Sequence, residues 1–160
     1  MTAPNDAADA FADAAIEWAA GGRGQLVVDA AAQALADGLD SPTLRVLAGA
    51  PRATADEEAT ELAPTVFHEL GISVHDRLSA EAIVEGARQR AARFLAGREP
   101  PRNLASDLWG MYVSAGYPEE LAVWSGLDDW YKMLEDGVMA GRVEDVDAAV
   151  ISAAHTLTGL

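Results

Sequence analysis

Two histidines and two carboxylates within nine residues are the side chains best suited to metal binding or catalysis. They are His68, Glu69, His75 and Asp76. Imidazole and carboxylate groups ligate zinc or iron when several of them converge. The spacing matches neither H-E-x-x-H, because position 72 is Ile, nor the E-x-x-H of di-iron bundles. Metal-dependent chemistry at these four residues is therefore an alternative hypothesis, and histidines at helix ends are the simpler interpretation.

A pair of neighbouring acids, Asp128-Asp129, lies between Trp124 and Trp130. Paired carboxylates perform general acid–base catalysis when burial raises the pKa of one of them. With 26 acids among 160 residues, however, adjacent pairs are expected anywhere in the chain. We interpret this pair as the cap of a helix that follows Gly126. The chain has no cysteine and no G-x-S-x-G motif, and we predict no catalytic residue and no cofactor.

The aromatic residues are concentrated between Leu104 and Leu134, which hold three of the four tryptophans and all three tyrosines. Aromatic side chains bury more area than any others, so a core is expected to form around them. The pattern predicts helices separated by breaks at Gly116 and Gly126. Trp109 and Trp124 are predicted to face each other in the core of this helical hairpin.

The remaining helices are predicted from residues that commonly begin or end helices. Ser41 before Pro42 and Ser79 are suited to begin helices, Asn103 could cap the hairpin, and Thr54 with Glu57 fits a capping box. The glycines at 21, 22 and 24 predict an interhelical turn. No strand alternation is present. We predict an all-α, single-domain bundle of seven or eight helices over residues 1–160, with the aromatic hairpin at its centre. Residues 1–5 are predicted to be flexible and 97–103 to form a basic connector.

The net charge of −15 is the strongest global property of the chain. Nucleic acids and anionic membrane surfaces are bound through Lys and Arg, so neither is an expected partner. No apolar run reaches 18 residues and the N-terminus has no basic region typical of a secretory signal, which favours a cytoplasmic protein. Residues 77–102 form a basic island with six arginines and three glutamates, a net +3. We expect these arginines to pair with neighbouring acidic helices.

Several short segments together resemble a loosely defined group of small, acidic, all-helical bacterial proteins. These segments are Asp40-Ser41-Pro42-Thr43-Leu44-Arg45, Leu47-Ala48-Gly49, Glu69-Leu70-Gly71, Leu108-Trp109, Glu120-Leu121 and Gly126-Leu127. Some proteins of that group are presumed to be immunity or accessory proteins of polymorphic toxins. The resemblance covers roughly residues 30 to 135 and rests on residues that begin and end helices. It therefore implies a helical fold and carries no catalytic residue.

The main functional prediction is a non-enzymatic module that binds a protein partner, with a basic partner favoured by charge complementarity. The resemblance adds an immunity-type role as one form of this function. The candidate binding residues are Tyr117, Asp128, Asp129, Trp130 and Tyr131. One alternative is a metal-dependent or small-molecule enzyme at the histidine cluster. Another is a structural or oligomerisation protein, for example a homodimer built through the alanine-rich terminal helices.

Overall fold

The computed structural model describes residues 4–97 and 99–160, apart from the side chains of residues 4 and 5. Its contacts divide the chain into two compact units, Met1–Arg77 and Leu78–Leu160. The described residues form eight α-helices and no strand, so the prediction of an all-α protein with seven or eight helices is confirmed. The organisation of residues 1–160 as one domain stays a prediction.

The first unit consists of four α-helices in which α2 packs against the other three. The helices are α1 (Pro4–Ala19), α2 (Gly24–Ala36), α3 (Pro42–Ala48) and α4 (Ala55–Leu70). Phe67 lies between Phe11 and Trp18, with ring centroids 6.1 and 5.9 Å away. The predicted interhelical turn at the glycines is confirmed. Gly24 is required there because a Cβ at this position would lie 2.3 Å from the carbonyl oxygen of Ala55.

Local hydrogen bonds begin two of the helices as the sequence predicts. The hydroxyl of Ser41 accepts from the N–H of Leu44 at 3.2 Å, and that of Ser79 accepts from the N–H of Ala82 at 3.1 Å. The predicted capping box at Thr54 is wrong. A 3₁₀ turn, Arg52–Thr54, leads directly into α4, and Thr54 makes no side-chain capping hydrogen bond.

The second unit contains α5 (Ala80–Ala96), α6 (Pro101–Ser114), α7 (Ala122–Glu135) and α8 (Val143–Thr158). The predicted aromatic hairpin is α6 and α7, and with α5 and α8 it forms the core of this unit. Trp124 is fully buried, as predicted. Trp109 is only partly buried, so its predicted place in the core is wrong. The reason is that α6 buries the stripe of Leu104, Ala105 and Leu108, and Trp109 lies at the edge of this stripe, about 100° round the helix from Leu108.

One of the two predicted glycine breaks is absent. Gly116 takes a positive φ of 77° just beyond the end of α6, but α7 continues through Gly126. The predicted connector is also shorter than expected, because α6 starts at Pro101 and Asn103 is a helical residue and no cap. Within that connector Arg98 lies outside the described residues. The same holds for residues 1–3 of the predicted flexible segment, whereas residues 4 and 5 belong to α1.

Candidate functional site

The histidine cluster occupies the C-terminal end of α4 and the loop that follows it. Gly71 ends α4 in the left-handed conformation, so His68 and Glu69 lie in the last helical turn and His75 lies in the loop. The carboxylate of Glu69 accepts from the N–H and the hydroxyl of Thr43 at 3.1 and 2.7 Å. Hydrogen bonds from Ser41 and Thr43 hold the pKa of Glu69 below its usual range. The carboxylate of Glu69 is therefore hydrogen-bonded to the first turn of α3.

A cavity of about 360 Å³ in the first unit is lined by His68, His75 and Asp76, together with Trp18 and Arg77. Glu69 does not line this cavity. Within residues 4–97 and 99–160, no group of three or more His, Cys, Asp or Glu side chains is arranged to hold a metal ion. The placement of these residues adds no support to the alternative hypothesis of a metal-dependent enzyme.

Arg77 holds the loop after α4 against the turn between α1 and α2. Its guanidinium carbon lies 4.6 Å from the ring centroid of Trp18, and its nitrogens donate to the carbonyls of Trp18 and Gly22. These contacts place the guanidinium against two backbone carbonyl oxygens and an aromatic ring. This role was not predicted from the sequence, because it depends on two segments more than 50 residues apart.

Two other arginines of the basic island bind acids, as predicted from the sequence. Arg90 forms a bidentate ion pair with Glu99, and its guanidinium lies 2.8 Å from the carboxylate of Asp107. Arg102 contacts Asp128 at 2.7 Å and Glu135 at 3.1 Å. The contacts of Arg90 connect α5 to α6, and those of Arg102 connect α6 to α7. Both sets therefore stabilise the packing of the second unit.

Two of the five predicted binding residues, Asp128 and Tyr131, are buried in this network. Asp128 lies inside α7, so its predicted role as a helix cap is wrong. Its carboxylate accepts from Arg102 and Lys132. Burial alone would raise the pKa of Asp128, but the hydrogen bonds from Lys132 and Arg102 outweigh it and the pKa lies below its usual value.

Tyr131 extends the network to α8. Its hydroxyl donates to the carboxylate of Asp147, and the guanidinium carbon of Arg102 lies 5.0 Å from its ring centroid. Burial, followed by the hydrogen bond to Asp147, raises the pKa of Tyr131. Neither Asp128 nor Tyr131 offers a surface to a macromolecule, and both connect the helices of this unit.

The other three predicted binding residues reach the surface to different degrees. Tyr117 is 61% exposed in the turn after α6, where its ring meets that of Tyr112 edge-on at 5.2 Å. Asp129 is exposed, and Trp130 is partly buried against the core. The binding role of these residues stays a prediction.

Four exposed apolar side chains lie close together in sequence where α7 is connected to α8. We call this surface the α7–α8 corner and define it by Met133, Val138, Met139 and Val143. All four side chains are exposed, and Val138 is 76% exposed. The N–H groups of Val138 and Met139 both donate to the carbonyl of Met133, at 2.9 and 3.2 Å, so the start of the connection is hydrogen-bonded to the end of α7. The signal in the sequence is the apolar pair at 138–139 between Gly137 and Gly141.

Acidic residues surround the α7–α8 corner. Residues 133–145 contain four acids and one arginine, a net charge of −3. The acids are Glu135, Asp136, Glu144 and Asp145, and all four are exposed. The arginine, Arg142, lies 3.4 Å from Glu144. The corner therefore has exposed apolar groups beside four acids, of which Glu135 pairs with Arg102 and Glu144 with Arg142.

The described part of the chain contains no helix that is both long and apolar enough to cross a membrane. No protein-family model, no curated protein and no solved structure matches the chain. The resemblance to small helical immunity-type proteins stays a prediction.

Proposed function

We propose that the protein is a non-enzymatic interaction module that binds a basic protein through the α7–α8 corner. The observation that carries the proposal is the exposure of Met133, Val138, Met139 and Val143 on a structured connection. Scattered exposed hydrophobic residues are normal, but a group of them at one place is typical of a protein-binding surface. Methionine suits such a surface because its flexible side chain adapts to a partner.

The charge around the corner supports a basic partner rather than a second copy of the chain. Two corners brought together would each contribute a net −3 from residues 133–145. Like charges across an interface oppose association, whereas a basic patch is attracted and binds faster at low salt. An immunity-type role is one form of this function. The structural or oligomeric alternative stays a prediction, and light scattering over a range of concentrations tests it.

A photo-crosslinking experiment tests the proposal. Benzoylphenylalanine replaces Val138 in one sample and Val46, an exposed valine of α3, in the control sample. We expect one basic protein to be crosslinked from position 138 in low salt, less of it in high salt, and none of it from position 46. Equal crosslinking from both positions, or no specific product from position 138, contradicts the proposal.

Binding measurements with the purified partner then separate apolar contact from charge. The double substitution Val138→Ser and Met139→Ser is expected to weaken the affinity about tenfold or more, because central apolar contacts carry most interface energy. The pair Glu144→Gln and Asp145→Asn is expected to lower the association rate and its salt dependence. If neither double variant changes the affinity, the partner binds elsewhere on the chain.

A further inference from the structure

A second surface feature, distinct from the α7–α8 corner, is a groove of about 550 Å³ in the second unit. Residues of α5, α7 and α8 and of the 3₁₀ turn Glu119–Leu121 line it. The volume lies within the range of pockets that bind small molecules. Its apolar surface comes from Val123, Ala149, Ala153 and Leu157. The groove exists because the residues of α8 that face it include small side chains, Ala149, Ser152 and Ala153.

The polar groups at the groove are few and include a cation. Arg88 lines it and is exposed, and it makes no ion pair with any residue in the described part of the chain. Its neighbours in the basic island differ, since Arg90 and Arg102 each bind two acids. An arginine with five N–H donors and no anion is suited to bind a carboxylate.

A second donor without a partner belongs to the buried wall of the groove. Trp124 lines the groove and is fully buried, and its Nε1–H has no acceptor among the described residues. A buried donor without an acceptor lowers the stability of the fold. The Nε1 atom is itself buried, as are the unpartnered Nε1 atoms of Trp18 and Trp130, so Trp124 contributes an apolar wall to the groove and no accessible donor.

We infer that the groove binds a small amphipathic monocarboxylate. The carboxylate pairs with Arg88, and the apolar body covers Val123, Ala153 and Leu157. Among the described residues that line the groove, Arg88 is a cation and Glu120 an acid, so a ligand with one negative charge meets less repulsion than a phosphate or a dicarboxylate. The inference is independent of the proposed function, because no residue of the α7–α8 corner lines this groove.

Calorimetric titration of the full chain with octanoate tests the inference, with octylammonium as a probe of the same length and opposite charge. We expect saturable binding of one octanoate per chain and much weaker binding of octylammonium. Substitution Arg88→Gln is expected to weaken octanoate binding about tenfold or more, and Arg88→Lys to retain part of it. Arg88 is exposed, so these substitutions leave the fold intact, which circular dichroism verifies.

Two further variants locate the site. Ser152→Trp places a large ring in the groove from an exposed position of α8 and is expected to abolish binding. Arg52→Gln removes an exposed arginine from the first unit and is expected to leave binding unchanged. The inference is overturned by a lack of saturation at millimolar octanoate, by equal binding of octylammonium, or by binding that survives Arg88→Gln or Ser152→Trp.

Discussion

Asp128→Asn tests the polar network that connects α6, α7 and α8. The side chain of Asp128 is 3% exposed and its carboxylate accepts from Arg102 and Lys132. Asparagine has nearly the same shape, so the substitution removes the charge without opening a cavity. The prediction concerns the free energy of unfolding, and Asp129→Asn is the matched control because Asp129 is the exposed neighbour on the same helix.

The magnitude follows from the burial of the three groups. A hydrogen bond to a charged group contributes about 1.5–3 kcal/mol, and breaking a buried ion pair costs about 3–5 kcal/mol when the remaining charge stays buried. Arg102 and Lys132 are 32% and 50% exposed, so both regain water when the carboxylate is lost. Arg102 also keeps its contact with Glu135. We therefore expect a loss of about 2 kcal/mol for Asp128→Asn and less than about 0.5 kcal/mol for Asp129→Asn.

The pH dependence gives a second, sharper result. The pKa of Asp128 is lowered in the folded state, from about 3.9 in the unfolded chain. Its contribution is therefore fully present above the unfolded pKa and is lost as the pH falls through the folded pKa. Urea denaturation followed by circular dichroism should show a constant difference between wild type and Asp128→Asn from pH 7 to 5. The difference should shrink below about pH 4, as the wild-type carboxyl becomes neutral.

Two results would refute this reasoning. If Asp128→Asn and Asp129→Asn unfold at the same urea concentration at pH 7, the ion pairs of Asp128 contribute nothing beyond those of a surface acid. If the difference from wild type is as large at pH 3 as at pH 7, the stabilisation does not come from the charge of the carboxylate.

Three further predictions concern packing and backbone. Trp124→Ala is expected to cost about 3–5 kcal/mol, because the ring is fully buried, and Trp109→Ala at least 1 kcal/mol less, because that ring is partly exposed. Gly24→Ala is expected to destabilise the first unit, since its Cβ would overlap the backbone of α4, whereas Gly110→Ala in open space should stabilise α6 by about 0.5–1 kcal/mol. Ser79→Ala removes the cap of α5 and is expected to cost about 1 kcal/mol. Urea denaturation measures the free energy of unfolding of all five variants. The packing argument fails if the two tryptophan variants are equally stable, or if Gly24→Ala is as stable as wild type.

The sequence by itself determined the fold class and several helix boundaries. Helical periodicity and the absence of strand alternation depend on residues three or four positions apart, which the chain displays directly. The caps at Ser41 and Ser79 are likewise local, because each hydroxyl accepts from a backbone N–H within one turn. The pairing of basic-island arginines with acids was also predicted, although the particular partners were not.

Only the tertiary structure decided which residues are buried and what remains for binding. Gly126 stays helical because Trp124 and Leu127 on either side of it pack into the core, and that packing outweighs the low helix propensity of glycine. Asp128 and Tyr131 are structural because Arg102 and Asp147 reach them from other helices. The exposed α7–α8 corner and the groove at Arg88 depend on how α7 and α8 pack, and no spacing along the chain encodes that arrangement.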